Sequence, residues 1–99
     1  MPIWEDCTMT TVCIGEAPAD VRRCNVRIDE SSLVIDYYDD EFGLVTYRGA
    51  NDGSGHFGLT SDENPIGRAS LHRFPEGAIL EGYWIEEGYE AFWRIELNE

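Results

Sequence analysis

Ala78–Leu97, AILEGYWIEEGYEAFWRIEL, holds two alternating runs separated by Glu86-Glu87-Gly88. After the break, Tyr89, Ala91, Trp93, Ile95 and Leu97 alternate with Glu90, Phe92, Arg94 and Glu96. Before it, Leu80, Gly82 and Trp84 alternate with Glu81, Tyr83 and Ile85. Successive strand side chains point to opposite faces, so a period of two predicts a hairpin with one face buried and the other largely in water. Two of the three tryptophans fall on the inner face, which makes this hairpin the expected main source of core area.

Working outward, the same pattern recurs upstream. Ile3–Ile14 reads as an irregular first strand rich in threonine. The segment GEAPAD interrupts it, and Pro18 opens either a short helical turn through Val21 or a plain loop. From Arg22, Cys24, Val26 and Ile28 face one way and Arg23, Asn25, Arg27 and Asp29 the other. Leu33, Ile35 and Tyr37 form the next apolar face, followed by a strand over Leu44–Gly49. The stretch Asn51-Asp52-Gly53-Ser54-Gly55 is strong hairpin chemistry, because glycine accepts positive φ without a Cβ clash. Phe57 and Leu59 then mark a fifth strand, His56–Thr60, and Gly67, Ala69 and Leu71 a sixth.

Eight short strands at this spacing, with no helical period, predict one all-β domain over residues 1–99. Short connections imply antiparallel neighbours, since a parallel crossover needs a dozen residues or more. The expected architecture is a compact up-and-down β-barrel, or a flattened barrel or sandwich; a barrel also removes exposed sheet edges. This plan resembles calycin-type barrels such as lipocalins and avidins, as an architectural comparison only. Gly82-Tyr83-Trp84 is similar to the lipocalin Gly-x-Trp, although that motif stands near the chain start in lipocalins and their chains are longer.

Twenty acidic residues face seven basic ones, all arginine, for a formal charge of −13. Such a polyanion repels nucleic acid and anionic membranes, so neither is an expected partner. The acidity reads as a solubility surface, a salt adaptation, or a face that docks on a basic protein, including by mimicry of nucleic acid. No apolar run approaches the ~20 residues that span a bilayer. MPIWEDCTMT lacks the features of a secretory signal, which points to a cytoplasmic protein. The odd set Cys7, Cys13 and Cys24 argues for reduced thiols, with Cys24 a small buried apolar residue.

Catalytic and metal chemistry find little purchase. The cysteines have no zinc-type spacing, and His56 and His72 stand far apart in the chain, both expected on the surface. Glu81 and Glu90 on strand exteriors read as solvated, and no phosphate-binding glycine loop precedes a helix. The expectation is therefore a non-enzymatic binding domain without cofactor or metal. Tyr37, Tyr47, Phe57, Trp84 and Trp93 are the candidate ligand-binding residues, all expected to point inward; so many bulky rings favour a filled core over a pocket, and a mouth lined by Tyr and Arg is the best place for an apolar or aromatic small molecule. The alternative is an acidic interaction module that binds and inhibits or regulates a basic partner.

Overall fold

Each predicted strand forms. The computed structural model describes residues 3–13, 20–40, 42–61, 66–86 and 88–97. They build β1 (Ile3–Cys13), β2 (Asp20–Ile28), β3 (Ser32–Asp39), β4 (Gly43–Ala50), β5 (His56–Ser61), β6 (Gly67–His72), β7 (Ile79–Glu86) and β8 (Tyr89–Glu96). Every strand pairs antiparallel with its neighbours in the chain, and β1 closes on β8 through pairs from Thr8↔Glu96 to Cys13↔Ala91. The result is a closed up-and-down barrel in strand order β1 to β8. The turn suggested at Pro18 lies outside the described residues, but Asp20 and Val21, where it would end, are already strand.

Alternation sets the inside. Val26, Leu33, Ile35, Val45, Leu59, Leu71, Leu80 and Ile95 are buried, each at the inward parity of its strand. Three of the barrel's turns are stapled by side chains. Asp29 Oδ1 accepts bonds from the backbone N–H groups of Ser31 and Ser32, at 2.9 and 2.7 Å. Asn51 and Asp52 each accept a backbone N–H two residues on, and Gly53 and Gly55 adopt the positive φ that the sequence anticipates. Asp39 Oδ1 caps the third turn through the N–H of Phe42.

Two placements differ from the expected ones. Tyr89, assigned to the inner face, is 64% exposed because its inward position opposite Glu86 lies beyond the end of the packed interior. Trp4, which the sequence left outside the aromatic core set, belongs to it. The cause is a bulge between Trp4 and Cys7, where Asp6 takes φ of 53°. The extra residue shifts the parity so that both Trp4 and Cys7 turn inward. The Arg73 guanidinium covers the Trp4 ring at 5.3 Å.

Candidate binding site at the barrel mouth

The inward positions stay apolar along each strand until the last layer at one end. There β2 extends past Cys24 to Arg22 and Asp20, β3 past Tyr37 to Asp39, and β7 past Trp84 to Glu86. Inward parity therefore delivers three carboxylates and one guanidinium to the rim of the barrel. With Met9, Thr11, Cys13, Tyr37, Trp84 and Trp93 they line a recess of about 230 Å³.

The floor is a set of rings. Trp93 is buried and packs edge-on against Tyr47 (5.0 Å) and Tyr37 (6.0 Å). Trp84 stacks on Trp93 at 5.4 Å with 16° between planes. A hydrogen-bond chain holds this stack in place: Trp84 Nε1 donates to the Tyr47 hydroxyl (2.9 Å), which donates to Glu86 Oε2 (2.7 Å). Gly67 makes room for it, because a Cβ there would run into the Tyr47 hydroxyl.

The other wall is a clamp on Arg22. Its Nε donates to Asp20 Oδ2 at 2.8 Å and its Nη1 to Asp39 Oδ2 at 3.3 Å, with the guanidinium 5.5 Å from the Tyr37 ring centre. Burial alone would lower the Arg22 pKa, but the hydrogen bonds and charges of Asp20 and Asp39 outweigh it and raise the pKa above its ordinary value. Both walls are thus fixed by contacts among themselves before any ligand arrives, the preorganisation a binding site needs.

Of the five residues singled out in the sequence, Tyr37, Trp84 and Trp93 line this recess. Tyr47 supports it from beneath through its hydroxyl. Phe57 is buried toward the opposite end, beside Ile28 and Arg73, and does not line the recess. Asp20, Arg22, Asp39 and Glu86 were missed, although each keeps the parity of the apolar run it extends. A shallower depression of about 550 Å³ lies on the outer wall over β5, β6 and β7, bordered by Thr60, Arg68, Tyr83 and Ile85. Arg68 is its one charged group, whereas the mouth gathers four ionic side chains over an aromatic floor, so the mouth is the better candidate.

Burial also gives the interior an alkaline limit. Desolvation, then the neighbouring Cys7 and Asp36, push the Cys24 thiol up to about 12. Desolvation likewise raises Tyr37 and Tyr47, the latter helped by its bond to Glu86. Above about pH 9 the unfolded chain releases the thiol proton, and above about pH 10 the phenol protons, while the native protein keeps them. The contribution of these groups to stability is therefore fully present below about pH 9 and falls as pH rises toward the native values, by roughly 1.4 kcal/mol per pH unit for each group in play. The urea midpoint should drop between about pH 9 and 10.5, and Cys24→Ala should remove the part of the slope that begins before the tyrosines titrate. A flat midpoint over that range would show that the thiol is not buried.

Comparison with known proteins finds no matching family model, no matching curated protein and no matching solved structure.

Proposed function

We propose that the protein is a non-enzymatic binding domain that takes a small apolar or aromatic molecule at the barrel mouth. The observation that carries this is the inward-facing charged layer directly above a stacked, hydrogen-bonded aromatic floor. Four ionic side chains from three strands converge over that floor at the partly exposed rim, which gives a ligand polar partners beside an apolar surface. The lining carries three carboxylates against one guanidinium, so a ligand with a cationic group is preferred over an anionic one. An aromatic ring on Trp84 with an ammonium group near Glu86 matches both parts of the site.

The acidic-docking alternative has less support. Exposed acids on the strands, among them Glu5, Asp6, Glu81, Glu90 and Glu96 on β1, β7 and β8, share the outer wall with exposed Arg23, Arg27, Arg48, Arg68 and Arg94 on β2, β4, β6 and β8, so the wall carries both signs.

Phenethylamine and phenylacetate share a ring and differ in charge, which makes them matched probes. Titration followed by tryptophan emission should give saturable binding, tighter for the amine by at least tenfold. Glu86→Gln should reduce that preference. No saturable response to either probe in the folded protein would rule out the mouth as a site for such molecules, and salt-sensitive capture of a basic protein would then favour the alternative.

A further inference from the structure

At the end of the barrel away from the mouth, β5 and β6 bring together the two histidines that the chain separates. His56 and His72 are register partners, both exposed, with their Nδ1 atoms 3.2 Å apart and ring centres 4.6 Å apart. We propose that this pair is a binding site for a single late first-row divalent cation, of the nickel, copper and zinc class.

The spacing fits the ion. Two metal–imidazole bonds of ~2.05 Å that span 3.2 Å meet at roughly 100°, between the square-planar and tetrahedral angles. Imidazole is the ligand type such cations favour, whereas magnesium and calcium prefer oxygen. The backbone beneath is locked on both sides. Phe57 pairs with Leu71 one step inward, and both side chains are buried. One step outward, Arg73 N–H donates to the Gly55 carbonyl at 2.8 Å. Gly55 holds a φ of +85°, and a Cβ there would strike the Arg73 carbonyl, so this closure depends on glycine. The imidazoles therefore need only side-chain rotation to chelate, with little ordering left for binding to supply.

Glu81 is the next residue in the row, as the β7 partner of His72, and it pairs with Arg94 at 3.7 Å. Among the described residues no third histidine, cysteine or carboxylate completes a cluster, so water takes the remaining coordination positions. An ion held this way would tie β5 to β6 across the outer surface, independently of the mouth.

Paramagnetic Ni²⁺ tests the proposal in an amide-resolved NMR titration, with excess Mg²⁺ present to occupy the acidic surface. Equimolar Ni²⁺ is expected to broaden or shift residues 55–57 and 71–73 first. The effect should weaken at least tenfold in His72→Ala and in His56→Ala. Both side chains are exposed, so the variants should keep the wild-type spectrum elsewhere, and His72→Gln serves as a second variant if one does not. Perturbation centred at any other place, an effect unchanged in the variants, or no effect at several equivalents of Ni²⁺ would overturn the site.

Discussion

Trp93→Ala is expected to destabilise the protein by about 3–5 kcal/mol, the range for truncating a buried large aromatic side chain. Trp93 is 1% exposed and touches Tyr37, Tyr47 and Trp84, so three rings lose their shared partner at once. Small domains hold only about 5–15 kcal/mol in total, so a large share of the protein should unfold at mild denaturant. Glu90→Ala, on the outer face of the same strand, removes an exposed acceptor of the Tyr83 hydroxyl and should change stability by less than about 0.5 kcal/mol. Equal shifts of the urea midpoint for the two variants would contradict the assigned faces of β8.

Gly82→Ala should be among the most damaging additions of a single methyl group, together with Gly49→Ala, whose Cβ would strike the Gly58 carbonyl. Gly82 lies opposite Trp93 on β8 and Leu71 on β6. A Cβ there would meet the Ser70 carbonyl and the Leu71 Cα, backbone atoms that no rotamer change can move aside. β6 and β7 must separate to admit it, at a cost of roughly 1–3 kcal/mol or more. Gly58→Ala supplies the contrast: it faces outward with open space around it, and the change should fall within about 0.5 kcal/mol of zero. Thermal unfolding of the two variants side by side reads the difference. A Gly82→Ala protein as stable as the Gly58→Ala one would show that β6 and β7 are not so closely packed.

The strands are legible because inward apolar and outward polar residues alternate from Arg22 to Leu97, and a closed barrel keeps that parity around the ring. Parity states a face but not a depth, which is why Tyr89 reads as core and stands in solvent. It also breaks at a bulge, and the residue responsible, Asp6, carries no hydrophobic signal that would place Trp4. The ionic layer at the mouth escapes for a related reason. Asp20, Arg22, Asp39 and Glu86 continue the inward parity past the end of the apolar run, so a hydrophobic pattern stops one layer short of the site. Pairing of His56 with His72 depends on register. A connection centred near position 64 places 56 opposite 72, but sequence separation alone hides the contact.

The mouth is tested most directly by mapping amide and indole N–H shifts during a phenethylamine titration. The Trp84 indole N–H, which donates to Tyr47, should move most among the three indole signals, together with the backbone of residues 20–22, 37–39 and 84–86. The signals of His56, Phe57 and Leu71 at the far end should stay in place. Saturable shifts confined to the mouth are the predicted result. Shifts spread evenly over the outer strands, or a Trp84 indole signal that does not move while others saturate, would contradict it.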